Sequence, residues 1–201
     1  MNGQFWWYLA RAGGIVAWLM LTASVLWGIA SSTDMFRRWR RPAWLVDLHR
    51  WLGALTVAFV AVHLIALVAD SYVHFDVVDL VVPFASEWKP LPVALGVVAL
   101  WGLVAVEVTS LAMRRLRRRT WHTIHLLGYG VFALGSFHGI TAGTDATKPM
   151  YLATTIASML AVGWATLHRI RPGAGAGRGR AVQPSRTPWR TAGTREAAEI
   201  R

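Results

Sequence analysis

Long apolar blocks constrain the fold of this chain more than any other feature. About 20 apolar residues span the hydrocarbon core of a bilayer, and the sequence offers five such stretches. Hydrophobic residues make up 55% of the 201 residues and charged residues only 15%, which leaves little for a soluble domain. We therefore predict an all-α integral membrane protein, a bundle of five transmembrane helices. The predicted spans are about 5–30, 44–69, 91–113, 121–142 and 150–167.

The positions of the charges predict the orientation. The net charge of +11 would suggest nucleic acid in a soluble protein, but here the arginines lie between and after the apolar blocks. Nearly all of the arginines lie in residues 31–43, in residues 114–120 and in the C-terminal segment. The loops 70–90 and 143–149 hold only Lys89 and Lys148 as basic residues. We therefore expect a multi-pass protein of the bacterial cytoplasmic membrane, N-terminus out and C-terminus in, without a nucleic-acid partner.

Composition divides the chain into two parts and marks one unusual loop. Residues 1–168 are predicted to form one transmembrane domain, and the Gly-, Pro- and Arg-rich residues 169–201 a disordered cytoplasmic tail. The loop 70–90 is acidic, yet its stretch Val77–Ala85 is apolar enough to lie on or dip into the membrane, with Pro83 breaking any helix. We expect this loop to cover the outer end of the bundle.

Four of the seven histidines lie at least four residues inside the second and fourth spans, where an ionisable side chain is costly. Their spacings of 14 and 13 residues correspond to about 20 Å along a helix. Because both spans run in the same direction, His49 can face His125 (the inner pair) and His63 can face His138 (the outer pair). Facing imidazoles at one depth are the axial ligands of a b-type haem, so the pattern predicts two haems b between these helices.

Helix geometry adds one condition. At about 100° per residue, a spacing of 13 leaves the two histidines of the fourth span about 140° out of phase. That helix must bend, bulge or use different imidazole rotamers, and Gly128, Gly130 and Gly135 favour a bend. Gly53, Gly128 and Gly135 also lie three or four residues from a histidine and leave room for a flat ring. The alternatives are a zinc site or interhelical hydrogen bonds in a non-redox scaffold or transporter.

Three segments carry a resemblance to a known family: Leu48–His63 (LHRWLGALTVAFVAVH), Asp70–Ser86 (DSYVHFDVVDLVVPFAS) and Trp121–Asp145 (WHTIHLLGYGVFALGSFHGITAGTD). They resemble the ferric reductase-like transmembrane domain, a family that includes ferric reductases, NADPH oxidases and the haem-binding membrane subunit of the bacterial methionine sulfoxide reductase system. The resemblance covers about residues 5–168 and implies haem ligation by the inner and outer pairs, with electron transfer across the membrane.

Two departures from the family pattern shape the functional expectation. Ferric reductases and NADPH oxidases carry a flavin- and nicotinamide-binding domain after the last helix, whereas here only a short basic tail follows. We therefore expect no flavin or NAD(P) site in this chain, and a cytosolic flavin reductase or a membrane quinol as the donor. His122 occupies a position that is often arginine in the family and competes with His125 as the inner ligand; we favour His125.

The sequence thus predicts a cytochrome b-type component of an oxidoreductase, which passes electrons to an extracytoplasmic acceptor. The runner-up is a quinol-linked cytochrome b that serves a partner enzyme. Arg11, in the first span, is a candidate partner for a propionate of the outer haem, with snorkelling to the headgroups as its alternative. Glu107 is expected to pair with Arg114 on the third span.

Overall fold

The structure is a computed structural model that describes residues 3–32, 44–71 and 73–170. Most of the predicted basic loop, residues 33–43, and residues 171–201 of the predicted tail lie outside the described residues. The described part contains helices and turns but no strand. Its helices are α1 (Gly3–Ser32), α2 (Trp44–Ala69), α3 (Val77–Val81), α4 (Pro90–Leu111), α5 (Arg118–His125), α6 (Leu127–Ala142) and α7 (Pro149–Ile170).

Four of these helices, α1, α2, α4 and α7, are long and apolar enough to cross a membrane. Their ends lie within three residues of the predicted bounds. The protein is therefore a multi-pass membrane protein. Bilayer thickness sets the length of each apolar block, which is why the blocks alone locate these helices.

The fourth predicted span is interrupted. It consists of α5, with eight residues, and α6, with 16, and Leu126 lies between them. At the junction the backbone N–H of Tyr129 donates to the carbonyl of Leu126 three residues back (3.2 Å), in place of the four-residue step of an α-helix. The interruption lies between His125 and His138, where a bend or bulge was one predicted way to place both ligands. It precedes the three glycines that favoured a bend.

The acidic loop folds back along α4. The indole of Trp101, midway along α4, donates to the carbonyl of Val81 (2.8 Å), and α3 ends before Pro83. Phe75 and Leu80 are buried in one apolar cluster with Val93 and Val97 of α4. The segment 77–85 thus lies beside the apolar helix α4, and its predicted contact with the membrane stays a prediction. Its other side exposes Val77, Val78, Val81, Val82 and Phe84.

The bundle consists of two packed helix pairs, α1 with α2 and α4 with α6. Trp18 on α1 donates to the hydroxyl of Ser136 on α6 (2.9 Å), which links the two pairs. Among the described residues, the fully buried polar side chains are Thr56, Ser136 and Thr155, and each hydroxyl donates to the carbonyl four residues earlier. Such internal bonds are what an apolar surrounding demands, because lipid offers no hydrogen-bond partner.

Candidate functional site

The four span histidines meet as two pairs. The ring centroids of His49 and His125 are 5.8 Å apart, and those of His63 and His138 are 6.4 Å apart. One metal ion held by both rings of a pair would need two bonds of about 2 Å and two ring radii of about 1 Å, roughly 6 Å in all. Both separations fit that requirement.

In the outer pair, a backbone carbonyl holds the Nδ1 atom of each ring. The Nδ1–H of His63 donates to Ala10 on α1 (2.7 Å), and that of His138 donates to Pro92 on α4 (2.8 Å). A carbonyl oxygen only accepts, so Nδ1 carries the ring proton and Nε2 keeps its lone pair. Histidines that bind a metal typically donate their other ring N–H to a carbonyl or carboxylate in this way.

In the inner pair, serines contact the Nδ1 atoms. His49 Nδ1 lies 3.1 Å from the carbonyl and 3.2 Å from the hydroxyl of Ser24 on α1. His125 Nδ1 lies 3.3 Å from the hydroxyl of Ser110 on α4. Thus α1 orients both histidines of α2, and α4 orients those of α5 and α6. Sequence reasoning found the histidines but missed the four residues that orient them.

Three glycines explain why these carbonyls accept a second hydrogen bond. The accepting carbonyls belong to Ala10, Ser24 and Pro92, and in each case the residue four positions later in the helix is glycine. A side chain in a helix covers the turn before it, so a glycine leaves that turn open. An added Cβ would lie 3.1 Å from the Nδ1 of His63 at Gly14, 3.3 Å from the Cε1 of His49 at Gly28, and 2.7 Å from the Nδ1 of His138 at Gly96.

The glycines expected to leave room for a macrocycle behave differently from one another. A Cβ added at Gly128, Gly130 or Gly135 would meet no atom within 4 Å. At Gly53, in contrast, a Cβ would lie 2.7 Å from the Oε1 of Glu107, so the space predicted for a macrocycle at this position holds that carboxylate. Among the described residues Glu107 forms no ion pair, and the pair expected with Arg114 is therefore absent.

A cavity of about 290 Å³ surrounds the outer pair. His63 and His138 lie on its wall together with Gly14, Gly96 and Gly135. A largely apolar wall with a few polar groups is typical of cofactor sites. The open space at Gly135, the two paired rings and their fixed Nδ1 atoms together fit a flat, iron-centred macrocycle.

Arg11 lies on the wall of the same cavity, but its partner in the structure is a carboxylate of the chain. Its Nε donates to the Oδ2 of Asp145 (2.9 Å), a second guanidinium nitrogen forms an ion pair with the other oxygen, and the group lies 4.1 Å from the ring centroid of Trp7. The contact joins α1 to the turn between α6 and α7. The predicted role of Arg11 towards a haem propionate stays a prediction.

The remaining histidines lie apart from the two pairs. His122 is exposed, and it is the ring of His125 that meets His49. His74 is exposed in the loop before α3, and His168 stacks on Trp164 in α7. Across the described ranges, no three or more His, Cys, Asp or Glu side chains form a metal-binding group.

Comparisons with known proteins point to one family. The family described as "ferric reductase like transmembrane component" matches residues 13–136, more than half of the chain. The "Protein-methionine-sulfoxide reductase heme-binding subunit MsrQ" of Azospira oryzae is 28% identical over 133 residues, which cover 64% of this chain and 54% of that protein. The match thus spans about half the length of this relative. No solved structure matches the chain.

Proposed function

Because this chain belongs to the ferric reductase like transmembrane component family, we propose that it is a b-type membrane cytochrome that carries electrons across the bilayer. His49 and His125 would hold one haem b, and His63 and His138 a second. Bound haem supplies a one-electron carrier at each depth. The observation that carries the proposal is that the four histidines meet as two ring pairs, 5.8 and 6.4 Å apart, with each Nδ1 held by a group of a neighbouring helix.

The proposed topology has five crossings, N-terminus out and C-terminus in, with α5 and α6 together as the fourth. Residues 118–142 would reach about 37 Å at 1.5 Å per residue, more than a hydrocarbon core of about 30 Å. Support comes from the bonds to α4, since Pro92 near its start contacts His138 and Ser110 near its end contacts His125. Residues 1–168 would form the haem domain, and residues 169–201 a cytoplasmic tail.

The name of the relative suggests the acceptor. MsrQ is called the heme-binding subunit of a protein-methionine-sulfoxide reductase. We assign this chain an analogous partner, an extracytoplasmic enzyme that reduces methionine sulfoxide in proteins. That reduction consumes two electrons and two protons and releases water, so the cytochrome would deliver two electrons, one at a time. The donor would be a membrane quinol or a cytosolic flavin reductase.

The first test is the haem content of the purified protein. We expect two haems b per chain, both low-spin because both axial positions are filled, and both extracted by acid–acetone because the sequence has no cysteine to anchor them. A pyridine haemochrome assay against protein concentration gives the ratio. One haem per chain would mean that one pair is structural, and a haem-free protein would refute the proposal.

The second test identifies the redox partners in proteoliposomes. We expect the haems to be reduced by quinol or by a flavin reductase with its nicotinamide, and to be reoxidised by the oxidised form of a methionine sulfoxide reductase. Nicotinamide without a reductase is the control for the donor, and an unrelated extracytoplasmic oxidoreductase is the control for the acceptor. Stopped-flow absorbance of the haem bands follows both steps. Reoxidation by both enzymes at equal rates would contradict the assigned acceptor.

A further inference from the structure

Trp121 is a tryptophan whose environment the two histidine pairs do not explain. It precedes His125 by four residues in α5, and the two rings stack with centroids 5.1 Å apart and planes 23° from parallel. The indole Nε1 is buried, yet within the described part of the chain it has no hydrogen-bond partner. By contrast, the indoles of Trp18, Trp27 and Trp101 donate to acceptors at 2.9, 2.7 and 2.8 Å.

A buried donor without an acceptor costs free energy, so such a group in a native protein calls for an explanation. A bound cofactor that brings its own acceptor is one. Trp121 lies one helical turn from His125 on the side of the arginine-rich residues 114–119, the predicted inner surface. A haem held by His125 has two propionate carboxylates, which need polar partners and therefore point towards the membrane surface rather than its centre.

We propose that Trp121 is a positioning residue for the inner haem: its indole N–H donates a hydrogen bond to a propionate carboxylate, and its ring face fixes the plane of His125. The inference rests on the proposed function, because it requires haem at the inner pair. Arg118 and His122 on the same short helix are exposed, whereas the indole nitrogen is buried beside the ligand. A hydrogen bond to a charged acceptor is stronger than a neutral one.

The chain provides a matched control for the stacking itself. In α7, Trp164 stacks on His168 with the same four-residue spacing, at 5.6 Å and 12°. That indole is largely exposed, and neither residue belongs to a predicted haem pair. A Trp→Phe substitution at either site keeps an aromatic face and removes the N–H, which is buried beside a proposed haem ligand only at Trp121.

The experiment uses the full-length chain carrying His63→Ala, so that only the inner pair takes up haem. Haem-depleted protein is titrated with protohaem and with its dimethyl ester, in which both propionates are neutral. We expect Trp121→Phe to weaken protohaem binding about tenfold and ester binding much less, because the charge-assisted part of the bond is missing in the ester. Trp164→Phe should change neither affinity.

Each outcome is decisive. An equal loss of affinity for both ligands would reduce Trp121 to packing, and unchanged affinity for both would remove its role altogether; either result overturns the inference and leaves the proposed function intact. If the Phe variant does not accumulate in membranes, equal affinity of the parent protein for protohaem and for the ester would still overturn the inference, because a charged propionate contact would then contribute nothing. A parent protein that takes up neither ligand would overturn the proposed function at the inner pair.

Discussion

Substitution of His63 by alanine is expected to remove the outer haem and to leave the spectrum of the inner haem largely intact. The two pairs use different helix segments and different orienting residues, Ala10 and Pro92 for the outer pair and Ser24 and Ser110 for the inner pair. Losing one imidazole removes an axial bond that only its own pair provides. The haem content should fall from two to one per chain, measured by pyridine haemochrome and by redox titration of the difference spectrum.

The reciprocal variant and two controls complete this experiment. His49→Ala should remove the inner haem and keep the outer one. His168→Ala, which alters an exposed ring stacked on Trp164, should keep both haems. His122→Ala should also keep both haems. Loss of the inner haem in that variant would mean that His122, and not His125, is the inner ligand. If His63→Ala abolished all haem in a chain that still inserts, the two sites would not be separate.

The sequence located the long helices and the histidine pairs because both depend on local regularities. Bilayer thickness fixes the length of an apolar block, and helix rise converts the spacings of 14 and 13 residues into two depths. The orienting groups were missed because three of them are backbone carbonyls, which every residue carries. In the sequence, each of these carbonyls is marked only by the glycine four positions later. For α1 a second regularity existed, because Gly14 and Gly28 repeat the 14-residue spacing of the histidines on α2.

The junction in the fourth span shows the limit of local patterns. The phase of His125 and His138 favours an irregularity, and glycine is one residue that permits it, yet the interruption lies at Leu126. Its position depends on α4, which holds the two histidines at opposite ends through Ser110 and Pro92. A tertiary constraint of this kind leaves no mark on the sequence around the break. The same holds for Glu107, whose carboxylate lies against Gly53 on another helix.

Substitution of Gly135 by leucine is expected to remove the outer haem while the chain stays folded. Gly135 lies on the wall of the outer cavity, three residues before His138, and a Cβ there meets nothing within 4 Å. A leucine side chain thus finds room in the haem-free chain, and leucine is favoured over glycine in a helix by nearly 1 kcal/mol. The space it takes is the space that the proposed macrocycle needs beside its ligand.

The matched control is Gly163→Leu in α7, where an added Cβ also meets nothing within 4 Å but the position does not line the cavity. That variant should keep both haems. The haem-free proteins are compared by thermal unfolding in detergent. Neither variant should unfold at a lower temperature than the parent chain. The measured quantity is the haem-to-protein ratio. It is expected to be about one for Gly135→Leu and about two for Gly163→Leu, since each occupied bis-histidine site holds one haem. A Gly135→Leu protein with two haems would show that the open space at this glycine belongs to something other than the outer haem.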